Sequence, residues 1–168
     1  MRWPLSTSIA ALCALILSGC GFHLRGMDTP SVALGSMAVT AENAYGELQR
    51  EVESALRQAR SDVVDAAEAG HTIHLMSERT TRHPISTTSD NSVAEYELSL
   101  EVTFELIDAD GTVLLAEEQV SAQRIYSFDR TNLVGSGEEE KLLTGEMRRE
   151  IASSVLRRVA AVISGSGS

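Results

Sequence analysis

The sequence has few groups that could carry out a reaction. Only two of its 168 residues are cysteines, and it contains neither the Gly-x-Ser-x-Gly pattern of many hydrolases nor a glycine-rich phosphate loop. His71 and His74 are three residues apart, and on a strand such residues face opposite sides, so they cannot bind one metal ion together. We therefore expect no catalytic residue and no metal site.

Basic charge is also scarce. The chain has 14 lysines and arginines against 24 aspartates and glutamates, which gives a formal net charge of -10. A chain this acidic is not expected to bind nucleic acid. Any anionic ligand would need a local basic cluster.

The longest apolar run lies at the N-terminus, from Ile9 to Leu17, and follows a positive charge at Arg2. It is too short for a permanent membrane span, which needs roughly 20 apolar residues, and is typical of an export signal. The next residues, Leu17-Ser18-Gly19-Cys20, resemble the lipobox of bacterial lipoproteins. We predict that residues 1–19 are a signal peptide and that Cys20 receives S-diacylglycerol and N-acyl lipid. The alternative is an ordinary signal peptide that happens to end near a cysteine.

Lipidation has consequences for location and for stability. Gly21 stands where an aspartate would retain a lipoprotein in the inner membrane, so we expect an outer-membrane lipoprotein facing the periplasm. Cys13 would leave with the signal peptide and Cys20 would carry lipid, which leaves no thiol for a disulfide. The domain must then depend on its apolar core. We expect no cofactor besides the lipid.

The mature chain divides into three parts. Residues 20–36 contain Pro30 and several glycines without a sustained period, which indicates a lipidated N-terminus and tether. Residues 37–163 form one domain, and residues 164–168 form a flexible tail.

The first half of the domain gives weaker signals than the second. Met37 to Thr40 predicts a short strand, Asn43 a helix cap before an apolar stripe that ends near Ala59, and Thr72 to Thr80 a second strand.

The second half begins with the clearest pattern. From Ala94 to Leu106 apolar residues alternate with polar ones, which include Glu97, Glu101 and Glu105, as in a half-buried strand. A turn at Asp108–Gly111 predicts a hairpin with a strand from Thr112 to Ser127, with a possible bulge at Ala116–Gln119.

A long helix closes the domain. It is predicted by a capping box at Ser136–Glu139 and an apolar stripe that reaches Ile163. The order of elements predicts an α+β fold, a four-stranded, mostly antiparallel or mixed sheet with two helices packed on one face.

Several short motifs resemble one family. They are Cys20-Gly21-Phe22-His23-Leu24-Arg25, Ala94-Glu95-Tyr96, Phe128-Asp129 and Glu146-Met147. In order and spacing they resemble the LptE (RlpB) family of lipopolysaccharide-assembly lipoproteins over essentially the whole mature chain. The resemblance implies a non-enzymatic protein that plugs and helps assemble the outer-membrane β-barrel LptD and aids insertion of lipopolysaccharide into the outer leaflet. It also implies two helices on a four-stranded sheet.

The family's reported binding of lipopolysaccharide through basic residues is harder to place here. The loop before the long strand reads Thr87-Thr88-Ser89-Asp90-Asn91-Ser92 and has no basic residue. The candidates that could contact phosphates are Arg79, Arg82, His83, Arg124 and Arg130. The alternative is that they are surface residues paired with the abundant carboxylates.

Two other functions stay open from the sequence. A small outer-membrane lipoprotein of similar fold could act as an assembly pilot for another barrel or a secretin. A lipid-anchored periplasmic enzyme is least favoured, because no activated nucleophile or base is visible.

Overall fold

The computed structural model describes residues 34–42, 46–87, 93–129 and 131–166. The predicted signal peptide, Cys20, most of the tether, the helix cap at Asn43 and the candidate Arg130 lie outside these residues. The elements run in the order β1 (Ser36–Ala41), α1 (Glu47–Gln58), β2 (Asp62–Val63), β3 (His71–Thr87), β4 (Val93–Asp108), β5 (Val113–Ser127) and α2 (Leu133–Ser166).

The strands form one mixed sheet in the order β2-β1-β3-β4-β5. β1 is parallel to β2 and β3, whereas β3, β4 and β5 form an antiparallel meander. The predicted α+β class is confirmed, but the sheet has five strands in place of the four expected. The additional strand, β2, has two residues, which is too short for an alternating pattern to show in the sequence.

The core lies between one face of the sheet and the two helices. Leu98, Leu100, Val102, Phe104 and Leu106 on β4 are all 0% exposed, as their alternation predicts. The helices cover this face with Leu48, Val52 and Leu56 from α1 and Met147, Ile151, Val155 and Val159 from α2. Both helices therefore pack on the same side, and the opposite side is called the open face below.

The hairpin between β4 and β5 follows the sequence closely. Gly111 has a φ of +82°, and the carboxylate of Asp108 accepts hydrogen bonds from the backbone N–H groups of Asp110 and Thr112, at 2.9 and 2.8 Å. Phe104 pairs with Glu118 and Leu106 with Leu115, so β5 has one extra residue there. The bulge predicted near Ala116 is confirmed.

β3 is much longer than the predicted strand, and it continues to Thr87. Leu75 pairs with Phe104 and Ser77 with Thr103, so Met76 is an extra residue that interrupts the alternation. Beyond it both faces of the strand are polar, and a polar segment gives no periodic signal.

The helix α2 begins three residues before the predicted capping box. The side-chain oxygen of Asn132 accepts a hydrogen bond from the N–H of Gly135 at 3.1 Å, which makes Asn132 the cap. The hydroxyl of Ser136 is instead turned to the backbone N–H of Asp129, at 3.0 Å. The predicted cap at Ser136 is therefore wrong.

The ordered domain also extends beyond the predicted boundaries. Leu34 is 2% exposed and belongs to the core, so part of the predicted 20–36 tether is folded. At the other end α2 continues to Ser166, into the predicted 164–168 tail.

One arginine joins three elements. Arg148 of α2 forms ion pairs with Glu47 of α1 and with Glu78 of β3, the latter at 2.7 Å. Its side chain is 19% exposed, so these pairs are less screened than ordinary surface pairs. They tie the start of α1 and the middle of β3 to the long helix.

The alternation on β4 gives a direct test. Leu100→Asp places a charge with no partner in the core and should lower the free energy of unfolding by about 4 kcal/mol or more. The neighbouring Glu101→Ala lies on the open face and should cost less than about 1 kcal/mol. Urea unfolding of both variants measures the difference. Similar losses in the two would mean that the strand faces are wrongly assigned.

Candidate functional site

The charged residues of the open face stand in rows across two strands. Residues that pair directly in an antiparallel ladder have their side chains on the same face. Arg79 pairs with Glu101, His83 with Glu97 and His74 with Glu105. Each row thus places a basic or imidazole side chain beside a carboxylate.

These rows make a hydrated surface and not a closed site. Glu97, Glu101 and Glu105 are partly exposed, and Arg79 and His83 are exposed. His74 shares a hydrogen bond of 2.9 Å between its Nδ1 and the hydroxyl of Thr40 on β1. Such cross-strand pairs stabilise a sheet by roughly 0.2–1 kcal/mol each, and they leave the surface free to contact a polar partner.

Arg82 lies on the opposite side of the sheet from Arg79 and His83, because it pairs with the buried Leu98. Its guanidinium stands 4.5 Å from the centre of the Tyr96 ring and forms an ion pair of 3.0 Å with Glu140 of α2. The hydroxyl of Tyr126 donates a hydrogen bond of 2.7 Å to the same carboxylate oxygen. These four residues are called the Arg82 cluster below.

The contacts within the Arg82 cluster favour the protonated forms of Tyr126 and Arg82. Burial, and then the hydrogen bond to Glu140, raise the pKa of the Tyr126 hydroxyl above its usual value. The hydrogen bond with Tyr126 is the main cause that raises the pKa of Arg82. The hydroxyl therefore stays a donor and the guanidinium stays charged at physiological pH.

Aromatic contacts extend this cluster to the end of β5. Tyr96 stacks on Tyr126 with 5.9 Å between ring centres, and the edge of one ring meets the face of the other between Tyr96 and Phe128, at 5.4 Å. Tyr96 and Phe128 belong to two of the short motifs that carry the family resemblance. The contact between these two rings was not predicted, although the predicted hairpin already brings the start of β4 beside the end of β5.

Arg124 repeats the arrangement further along β5. It also pairs with Leu98, so it lies on the helix side, and it forms an ion pair of 2.7 Å with Glu150 of α2. Arg130 lies outside the described residues. The two arginines on the helix side are therefore each paired with a carboxylate of α2.

The four basic candidates that the structure describes do not form a single cluster. The structure places Arg79 and His83 on the open face, four residues apart along β3, and it places Arg82 and Arg124 on the helix side. For the three candidates on β3, the alternation of side chains along a strand could have predicted the separation. Arg79 and His83 are four residues apart and so face the same side, whereas Arg82 is three residues from Arg79 and faces the other. Within the described residues Arg79 forms no ion pair, which distinguishes it from Arg82 and Arg124.

Neither a metal site nor a membrane-spanning helix is found where the structure can be described. In residues 34–42, 46–87, 93–129 and 131–166, no three His, Cys, Asp or Glu side chains are grouped as metal ligands would be. No helix in that part of the chain combines the length and apolar character that crossing a bilayer requires.

Known proteins resemble this chain in sequence. Residues 34–159 match the LptE family, which is described as lipopolysaccharide-assembly. The chain is 27% identical over 163 residues to the LPS-assembly lipoprotein LptE of Photorhabdus laumondii, with 96% of this chain and 88% of that protein covered. It is 26% identical over 164 residues to the LPS-assembly lipoprotein LptE of Pectobacterium atrosepticum, with the same coverage.

Solved structures resemble it in fold. The rare lipoprotein B of Shewanella oneidensis superposes with a TM-score of 0.69 at 25% identity, over 79% of this chain and 99% of that one. The solution structure of a lipoprotein B of Nitrosomonas europaea gives a TM-score of 0.68 at 24% identity, over 86% and 93%. Since the sequence match spans nearly the whole described domain, the chain belongs to the LptE family.

Proposed function

We propose that this protein is a non-enzymatic lipopolysaccharide-assembly lipoprotein, anchored in the outer membrane by lipid on Cys20. It plugs and helps assemble the β-barrel LptD, with its domain on the periplasmic side and within the barrel lumen, and aids insertion of lipopolysaccharide into the outer leaflet. Family membership carries this proposal, since the curated relatives are named as LPS-assembly lipoproteins.

The open face supports a position inside a barrel. The lumen of a large outer-membrane barrel is polar and filled with water, so a domain enclosed there needs a hydrophilic surface. The open face offers one, with glutamates of β4 beside Arg79 and His83 of β3. An apolar sheet face would lack hydrated partners in such a lumen.

A lipid anchor would hold the domain at the membrane before it meets the barrel. Each buried CH₂ group contributes about 0.8 kcal/mol, so three acyl chains bind strongly. The described part of the chain has no spanning helix that would serve instead.

The position of the carboxylates favours Arg79 and His83 as the contact for lipopolysaccharide phosphates. Both are exposed on the open face and stand across from a glutamate of β4, but neither forms an ion pair within the described residues. Arg82 and Arg124, in contrast, form ion pairs with carboxylates of α2. A phosphate at Arg82 would have to displace Glu140 and disturb Tyr126. We therefore propose a contact through Arg79 and His83 and leave out Arg82 and Arg124, while Arg130 lies outside the described residues.

The barrel assignment is tested by purification from membranes. The mature lipoprotein, carrying a C-terminal affinity tag, should co-purify in mild detergent with a large barrel of the lipopolysaccharide export pathway. Mass spectrometry identifies the partner. Recovery of a secretin or another barrel would support the role of an assembly pilot and contradict the proposal.

Lipidation is tested by Cys20→Ala. The variant should lose its lipid and leave the membrane fraction, while its thermal unfolding stays cooperative, because the described core extends from Leu34 onward. Intact-mass spectrometry and fractionation measure the first effect, and circular dichroism the second. An unchanged membrane fraction would contradict a lipid anchor at this residue.

The ligand contact is tested by replacing Arg79 and His83 together with serine. Binding of lipopolysaccharide to the unlipidated domain should weaken by at least roughly tenfold, because a hydrogen bond to a charged group contributes about 1.5–3 kcal/mol. Arg124→Ser is the matched control, since it removes a positive charge that Glu150 already pairs with. Binding unchanged in the double variant, measured by fluorescence titration, would exclude this contact.

A further inference from the structure

The outer edge of β5 has no partner strand in the described structure. β5 is the last strand of the sheet and pairs only with β4, over a length of 15 residues. The strand at the other border of the sheet, β2, has two residues. A long open edge presents backbone donors and acceptors to any chain that can adopt a strand.

The hydrogen-bond pattern identifies the backbone groups that point outward. The N–H of Phe128 donates to the carbonyl of Ala94 at 2.8 Å, and the register continues without a shift to the pair Phe104 and Glu118. In an antiparallel ladder only alternate residues bond across to the partner strand. The alternate residues of β5 with N–H and C=O groups directed away from β4 are Gln119, Ser121, Gln123, Ile125 and Ser127, and all five are exposed.

This edge has few of the features that usually prevent strand addition. Beyond Leu75, β3 has a similar edge without a partner strand among the described residues, but that edge is interrupted by the extra residue Met76, by Pro84 and by two further register shifts near its end. From Glu118 to Ser127, β5 contains no proline, glycine or lysine and has an unbroken register. Its one cation, Arg124, pairs with Glu150 of α2 and also donates a hydrogen bond of 2.8 Å to the carbonyl of Gln123, so one of the outward carbonyls is capped and the other outward groups have no described partner. Natural proteins usually protect long edges more fully than this, so the edge of β5 indicates a surface that is covered in the working state.

The flank of α2 above this edge determines which chain would fit. Glu150 pairs with Arg124 and Arg158 pairs with Glu118, so these residues balance each other. Arg157 lies beside them and, within the described structure, donates only to the hydroxyl of Ser154, at 2.7 Å. Arg157 is therefore a positive charge on this flank with no described carboxylate partner, in a chain whose formal net charge is -10.

The other side of the edge has no charge. Ile125, which is 61% exposed, stands there among the uncharged Gln119, Ser121, Gln123 and Ser127. An added strand would therefore need uncharged side chains on the open face and a carboxylate on the helix side.

We propose that the edge of β5 from Glu118 to Ser127 receives an extended segment of the barrel partner as an additional β-strand. The segment carries uncharged side chains toward Ile125 and a carboxylate that reaches Arg157. The inference rests on the proposed function, since it takes the barrel as the partner. A second copy of this chain fits less well, because two strongly acidic chains repel each other.

Hydrogen exchange of the backbone amides tests the added strand. The amides of Gln119, Ser121, Gln123, Ile125 and Ser127 should exchange rapidly in the free mature protein and slowly in the purified barrel complex. The amides of Val120, Ala122 and Arg124 should be protected in both, because they already bond to β4. This alternation distinguishes a strand from general coverage of the surface.

A pair of variants at one position isolates the backbone contribution. Gln123→Pro removes an outward N–H without removing a bond to β4, and Gln123→Thr keeps the N–H and only changes the side chain. The proline variant should bind the barrel at least roughly tenfold more weakly, while the threonine variant binds as the parent does. Arg157→Glu should also weaken binding, and thermal unfolding of each variant checks that it is folded.

Each contrary result has its own meaning. A stable barrel complex in which the five amides still exchange rapidly overturns the added strand and leaves the proposed function standing. Failure of the parent protein to bind the barrel overturns both. Slow exchange in the free monomer means that another segment of this chain covers the edge, and a dimer abolished by Gln123→Pro means that a second copy does, so either result overturns the proposal.

Discussion

The fold depends on the burial of one face of β4. This strand lies between β3 and β5, and its apolar side chains on the helix side are completely buried. A shift of one residue in its pairing would turn five buried side chains toward water and bring glutamates into the core. That penalty fixes the register of both neighbouring strands. It thereby decides which basic residues face α2 and which face outward.

Where one face is buried, the sequence was sufficient to predict the structure. The alternation from Ala94 to Leu106, the Asp108–Gly111 turn and the stripe of α2 each have a clear period, and the class of the fold follows from them. The second half of β3 and the two-residue β2 were not predictable in this way. The second half of β3 has polar residues on both faces, so apolar and polar residues do not alternate there. β2 has only two residues, which is too short for any alternation to be recognised.

The candidate site was predicted less well than the fold, because its arrangement depends on single-residue irregularities. Because Met76 is an extra residue, each later side chain of β3 lies on the opposite face from the one that uninterrupted alternation would give. Arg82 is therefore on the helix side. There Arg82 joins Glu140 and Tyr126, which come from parts of the sequence about 40 to 60 residues away. The composition shows that the chain has many arginines and glutamates, but it does not show which of them form ion pairs. The residues that remain free for a ligand are known only once these pairs have been assigned.

The position of Leu34 limits how the domain can be oriented at a membrane. β1 is parallel to β3, and both begin at the end of the sheet that holds the turn at Gly111. β3 continues for 17 residues, so its far end is about 55 Å from that border at about 3.3 Å per residue. Cys20 precedes Leu34 by only 14 residues, a link that spans at most about 50 Å. A lipid on Cys20 would therefore tether the sheet to the membrane at the end that holds the Gly111 turn, through a link shorter than the sheet itself. If the proposed lipid and barrel are in place, an upright sheet would hold the Gly111 end on the side of the bilayer, and the end that carries Tyr96 and Phe128 would extend deepest into the barrel.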